Sequence, residues 1–323
     1  MNNSAPANAS APARTALRTP VVLIVFNRPD LAGRILERVR AARPPRLLVV
    51  CDGPRANRPG DHARVEAVRA LFATAIDWDC EVIREYAETN LGCMDRIHTG
   101  LNRAFDLFPE AIILEDDCLP DPSFFRFCDE MLERYRDEPR VMNIAGTNLV
   151  AGRHRPAADY WFSHHPWTWG WASWRRAWQH NDYELKTWQD RQAELRASFA
   201  SRWERQYWLS TFAHARRDLR AADSWDFQWN FSCRTHGGLS VVPRYNLVEN
   251  LGFGTDSTHT RADMSRLAVP TRPLSFPLAH PDTMDVDRYA DDLHTRVYAG
   301  ESTGPFANLR ARLRLLADSF RHD

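Results

Sequence analysis

The chain has 323 residues, 44% of them hydrophobic and 26% charged, which suits a globular protein with one large domain plus additions, or two domains. Its 42 Lys and Arg are matched by 42 Asp and Glu, so there is no overall basic field to hold nucleic acid. No run of 18 apolar residues occurs and the six cysteines lack zinc-site spacing, which argues against a membrane-spanning helix, a zinc module and a dense disulfide framework.

Residues 1–18 are rich in Ala, Asn, Ser and Pro and have no apolar centre of the secretory kind; a disordered leader is expected there. With reduced thiols the default, the expected location is cytoplasmic, at most peripheral to the inner face of a membrane. The first regular segment, Val21–Phe26, is continuously apolar, as a strand buried on both faces should be. After Asn27-Arg28-Pro29-Asp30, residues Leu31, Ile35, Leu36 and Val39 recur at helical spacing. The pattern repeats: strand Leu47–Val50 runs to Cys51-Asp52-Gly53, and Asp61 is placed to cap a helix with the stripe Val65, Val68, Leu71, Phe72 and Ala75. Strand Cys80–Tyr86 precedes a helix carrying Ile97, Leu101, Ala104, Phe105 and Phe108.

Strand Ala111–Leu114 runs directly into Glu115-Asp116-Asp117, and Asp121-Pro122 then reads as a cap and first residue of a helix with Phe124, Cys128, Met131 and Tyr135 on one stripe. Val141–Ala145 is the next strand. Four βα units in this stretch predict a mostly parallel sheet with helices on both faces. Beyond Gly146 the texture changes: 160–178 is dense in aromatic residues, Arg202–Arg220 reads as helix, Leu239–Val242 as a short strand, 267–294 has several prolines and little periodicity, and Asn308–Phe320 reads as an amphipathic helix. The expected organisation is a catalytic domain over 19–262, divided into halves 19–146 and 147–262, with an extension over 263–323.

The strongest chemical signal is Glu115-Asp116-Asp117. Ligands bind beyond the carboxyl ends of strands in open α/β sheets, and adjacent carboxylates repel unless a cation balances them. A hard divalent ion, Mg²⁺ or Mn²⁺, suits such oxygens and carries substrate phosphates; an acidic first turn of a helix is the other reading. Arg28 and Asp52 fall on the same rim, where a phosphate, base or ribose would meet them, or else as a surface arginine and a turn residue. Asp226, between Trp225 and Phe227, suits either a general base or a buried hydrogen-bonded aspartate. Trp169 and Trp171, flanking Gly170, read as a sugar-stacking face or as core, and His259 as a metal or diphosphate contact or a structural histidine. Glycine-rich phosphate loops, Gly-x-Ser-x-Gly and His-Glu-x-x-His are all absent.

On Val21–Arg28, Leu47–Gly53, Asn90-Leu91-Gly92, Ile112–Asp117 with Pro120–Phe127, Trp169-Gly170-Trp171 and Trp225-Asp226, the chain resembles GT-A-type glycosyltransferases over about residues 20–260. More closely it resembles bacterial glycosyltransferase-like proteins labelled haemolytic-protein-like, which are similar to Golgi β-1,2-N-acetylglucosaminyltransferases acting on mannose. The resemblance implies an α/β fold of GT-A type and an inverting, metal-dependent transferase of the hexosyl type. Its donor would be a nucleotide-diphosphate sugar, a UDP-sugar foremost, and its acceptor a glycan or lipid-linked hydroxyl. By position, Arg28 and Asp52 would hold the base and ribose region, Glu115 and Asp116 the sugar or ribose, Asp117 the Mn²⁺ or Mg²⁺ ion, and Asp226 would be the base. Within the same fold type, a sugar-phosphate nucleotidyltransferase and a non-catalytic carbohydrate-binding protein are the alternatives.

Overall fold

The computed structural model describes residues 17–252 and 267–301. In chain order the elements are β1 (Val21–Val25), α1 (Pro29–Ala42), β2 (Arg46–Cys51), α2 (Asp61–Thr74), β3 (Glu81–Tyr86), α3 (Cys93–Leu107), β4 (Glu110–Glu115), β5 (Cys118–Pro120), α4 (Pro122–Arg134) and β6 (Val141–Ala145). There follow β7 (Tyr160–Ser163), β8 (Trp171–Trp174), α5 (Arg175–Trp178), α6 (Gln192–Ala197), α7 (Arg202–Arg217), α8 (Leu219–Ala222), α9 (Asp226–Thr235), β9 (Leu239–Pro243), β10 (Val248–Asn250) and α10 (Arg288–Tyr298). No helix among the described residues is long and apolar enough to cross a membrane.

Eight strands form one sheet in the order β3-β2-β1-β4-β8-β6-β9-β7. The first four run parallel, β6 and β9 run parallel, and β8 is inserted antiparallel between β4 and β6. β7 closes one edge antiparallel to β9. This is the mixed α/β arrangement that the repeated βα pattern implies. The alternation of side chains along β1 splits the core into two layers. Val21, Leu23 and Val25 pack beneath α1, α2 and α4, while Val22 and Ile24 pack beneath α3, α5 and α9.

Several expectations are corrected here. Asp61 does not cap α2: Gly60 stands at the cap, and the fully buried Asp61 carboxylate accepts from Arg55, Arg64 and Asn27. These partners, the Arg55 hydrogen bond foremost, hold it well below the usual carboxylate range despite its burial. Asp121 does cap α4, accepting from Ser123 N at 2.8 Å with Pro122 behind it. Leu17, expected in the leader, is buried, and Thr19 Oγ1 donates to Asp129 at 2.6 Å. The aperiodic reading of 267–294 overlooked α10, which begins at Asp287 capping Ala290 N. Arg202–Arg220 is broken at Asp218, whose side chain caps α8. The expected helix over 308–320 lies outside the described residues.

The second half is anchored by a buried polar knot. Glu204 on α7 and Arg234 on α9 are fully buried; Arg234 Nη2 donates to Glu204 Oε1 at 3.3 Å, and His165 Nε2 lies 3.0 Å from the same oxygen. Ala200 N donates to Glu204 Oε2 at 2.6 Å. Burial alone would raise the Glu204 pKa, but His165 and Arg234 outweigh it and leave it at about 2. A depressed carboxylate stabilises the fold above its ordinary value near 4.5, and that contribution is lost as pH falls toward 2. Glu204→Gln strands a buried guanidinium, so it is expected to cost about 3–5 kcal/mol at neutral pH. Chemical denaturation at pH 7 and at pH 3 checks this: the gap between wild type and variant should narrow in acid.

Candidate active site

The registers of β1, β2 and β4 are level: Val25 pairs with Cys51 and Ile24 with Glu115. The residues after each strand therefore meet on one rim, around a cleft of about 360 Å³. Arg28, Asp52, Glu115, Asp116 and Asp117 all line it. Its far wall is the start of α3 with Asn90, Gly92 and Cys93, and its lip carries Asp223 and Gly252.

Arg28 is committed to the acidic strand end. Its Nη2 donates to Asp116 Oδ1, and its Nη1 to Asp117 Oδ2 at 3.1 Å. Burial opposes its charge, yet Asp116 and Asp117 together raise its pKa above the ordinary value. Asp116 is turned inward, 3% exposed at its side chain, with Oδ2 accepting from Phe26 N at 3.2 Å. Burial pushes its pKa up to about 6 against the pull of Arg28. Glu115 is raised further, by burial and then by Asp117 and Asp116. Asp117 is the more open of the Arg28-bound pair, 17% exposed at its side chain. A methyl group on Gly252 would lie 2.4 Å from Asp117 Oδ2, so only glycine lets the chain just after β10 pass this close.

Asp52 serves the loop before α3. Its carboxylate accepts from Gly53 N, Leu91 N, Gly92 N and Asn90 Nδ2 at 2.8–3.1 Å, which fills its four lone-pair directions. Burial raises its pKa, with the backbone donors working the other way. Asp223 caps α3 from across the chain, accepting from Met94 N at 2.9 Å and Cys93 N at 3.3 Å, with a left-handed φ of 42°.

Asp226 is the first residue of α9, where negative charge is favourable, and Ser224 Oγ donates to its Oδ1. It is close enough to Glu115 to raise that residue's pKa. The Cys93 thiol records the same convergence. Burial, then Glu115, Asp223, Asp226 and Asp117, push it well above its usual range.

Trp169 and Trp171 do not form one face. Gly170 between them has φ of 64°, and Trp171 turns into the core with no exposure, packed on Trp178, Trp225 and Trp229. Trp169 is only partly buried and packs against two other clusters, the one beneath α1, α2 and α4 and a smaller one that includes Trp161 and Trp167. Trp171 is therefore core, because the antiparallel β8 must bury both its faces, and not a surface for an acceptor. His259 lies outside the described residues. Sequence reasoning passed over Asp223, Gly252 and Arg96, which also lines the cleft. Their roles depend on partners far along the chain, and only the arginine interrupting the apolar stripe of α3 was a local signal.

Among the described residues no group of three or more His, Cys, Asp and Glu side chains is arranged to hold a metal ion. Asp117 offers a partly exposed carboxylate in the cleft, which suits a magnesium-type ion held by one carboxylate and completed by substrate phosphates and water.

No protein-family model matches the chain, and no curated protein does. Among solved structures it is similar to a cytidylyltransferase from Leptospira borgpetersenii, with 12% identity and a TM-score of 0.28 over 51% of this chain and 64% of that one. It is also similar to mouse xyloside xylosyltransferase 1, with 12% identity and a TM-score of 0.32 over 67% of this chain and 81% of that one. The chain thus spans a little under two thirds of the cytidylyltransferase. Both named neighbours are transferases.

If Arg28 is the resident cation of the strand end, removing its charge leaves the buried Asp116 uncompensated. Arg28→Met, which keeps the apolar stem, is expected to lower stability by about 3–5 kcal/mol. Urea unfolding checks this; a loss under about 1 kcal/mol would mean the ion pairs are incidental.

Proposed function

We propose that the protein is an inverting glycosyltransferase that moves a sugar from a nucleotide-diphosphate donor, a UDP-sugar foremost, to a hydroxyl of a glycan or lipid-linked acceptor. The observation that carries this reading is the acidic end of β4 lining a cleft at the carboxyl edge of parallel strands; Asp226, at the start of α9, does not line that cleft but is close enough to Glu115 to raise its pKa. Such edges are where α/β sheets bind their ligands, and one base opposite a leaving-group site is the minimum for a single displacement.

In this reading the cleft wall of Arg28 and Asp52 frames the nucleotide end, and Glu115 with Asp116 the sugar end. Arg28 and Asp52 act there through the loops they hold, since their polar atoms are engaged by Asp116, Asp117 and the turn before α3. Asp117 would hold a Mn²⁺ or Mg²⁺ ion, which supplies Lewis-acid neutralisation of the departing diphosphate when bound. Asp226 takes the proton of the acceptor hydroxyl as that oxygen bonds to the anomeric carbon. The bond from the anomeric carbon to the diphosphate oxygen breaks, and its electron pair leaves with the diphosphate. Ser224, donating to Asp226 Oδ1, orients the carboxylate. Trp169 is the aromatic side chain kept as an acceptor contact, and association with the inner face of a membrane would suit a lipid-linked acceptor.

Asp226→Asn is nearly isosteric but cannot accept the proton, so it should keep donor binding and lose about 10²–10⁴-fold in transfer rate. Near-normal turnover would exclude Asp226 as the base. Asp117→Ala should abolish the Mn²⁺-dependent part of UDP binding, and calorimetry with UDP in the presence and absence of Mn²⁺ reads this directly. Undiminished binding would remove the metal assignment.

A further inference from the structure

Three guanidinium groups line the cleft: Arg28, Arg55 and Arg96. Arg28 is paired with Asp116 and Asp117, and Arg55 with Asp61. Arg96 differs. It stands in the first turn of α3, only 9% exposed. Its Nη2 donates to the Glu85 backbone carbonyl. Its buried Nε has no hydrogen-bond partner, and no carboxylate of the described residues forms an ion pair with it. Asp52 is the leading acidic influence on it, but the Asp52 oxygens are taken by donors from residue 53 and residues 90–92. Burial accordingly lowers its pKa below the ordinary guanidinium value.

An arginine cannot shed its proton as a lysine can, so this charge stays in the cleft wall with no ion-pair partner among the described residues. A neutral carbonyl entering the cleft would satisfy a hydrogen bond and leave the charge as it was. An anionic oxygen would satisfy both, through short charge-assisted bonds to the guanidinium edge. We infer that Arg96 is the anion-binding residue of the cleft and receives a phosphate oxygen of the donor. The inference rests on the donor reading above for the identity of the ligand. It moves the phosphate contact from Arg28, whose edge is spent on the acidic strand end, to Arg96 on the opposite wall.

The test is calorimetry of inorganic pyrophosphate, UDP and uridine on wild type, Arg96→Gln and Arg96→Lys, with ligand-free thermal unfolding of each. Wild type should bind pyrophosphate and UDP. Arg96→Gln should weaken both by about 10- to 100-fold and leave uridine unchanged, with Arg96→Lys in between because it keeps the charge and loses the fork. Removing an unpaired buried charge should not lower the ligand-free melting temperature. Pyrophosphate affinity in Arg96→Gln within twofold of wild type would overturn the inference, as would wild type taking up no pyrophosphate or uridine being lost in parallel with UDP. Should Arg96→Gln not fold, pyrophosphate binding by Arg96→Lys equal to wild type overturns it instead. Failure of the glycosyltransferase reading is seen separately, as pyrophosphate binding through Arg96 with no transfer from any nucleotide sugar.

Discussion

Three consecutive carboxylates at the end of a buried strand repel one another and resist leaving water; Arg28 is what allows them to stand there. It reaches from the turn after β1 to Asp116 and Asp117 at the end of β4. Asp116 in turn accepts from Phe26 N, so the two neighbouring strands are tied at their ends by the same charges that make the rim acidic. The level registers of β1, β2 and β4 follow the same constraint, since one slipped residue would carry Glu115 or Cys51 to the wrong face. Around that tie the cleft is polarised, with carboxylates on the β4 side and lip and, on the wall of α3, Arg96 with its Nε lacking a hydrogen-bond partner.

The second half of the chain completes the cleft through the sheet and not through a separate body. β8 enters antiparallel between β4 and β6, and its Trp171 supports a cluster with Trp178, Trp225 and Trp229. That cluster seats α9, and its packing fixes Trp225, the residue just before Asp226. Asp223, three residues earlier, caps α3 and pins the same segment to the opposite wall. Aromatic rings that look like a sugar platform in the sequence thus do their work as the mount for a carboxylate.

Much of the first half was legible in the sequence because its signals are local. Val21–Phe26, Leu47–Val50 and Ala111–Leu114 are continuous apolar runs, and the observed strands match them within about two residues. Asp121-Pro122 is a cap and first residue in sequence and in structure. The rim positions of Arg28, Asp52 and Glu115–Asp117 followed from those strand ends. What escaped depends on distant partners. Asp61 is held by Arg55 and Arg64 close by, but its burial also needs Asn27 from the turn after β1, and nothing near Arg96 in sequence marks its lack of an ion-pair partner. The face to which Trp171 points is set by pairing with β4 and β6, and the reading of two rings on one side assumed an extended chain that the left-handed Gly170 breaks.

The central claim is that the cleft between the end of β4 and the start of α3 receives a nucleotide diphosphate. A crystal structure of the protein grown with UDP and Mn²⁺ tests it most directly. The account predicts the nucleotide in that cleft, its diphosphate between Asp117 and Arg96, with Arg28 still on Asp116. An unfilled cleft under saturating UDP and Mn²⁺, or a nucleotide bound elsewhere on the molecule, would contradict it.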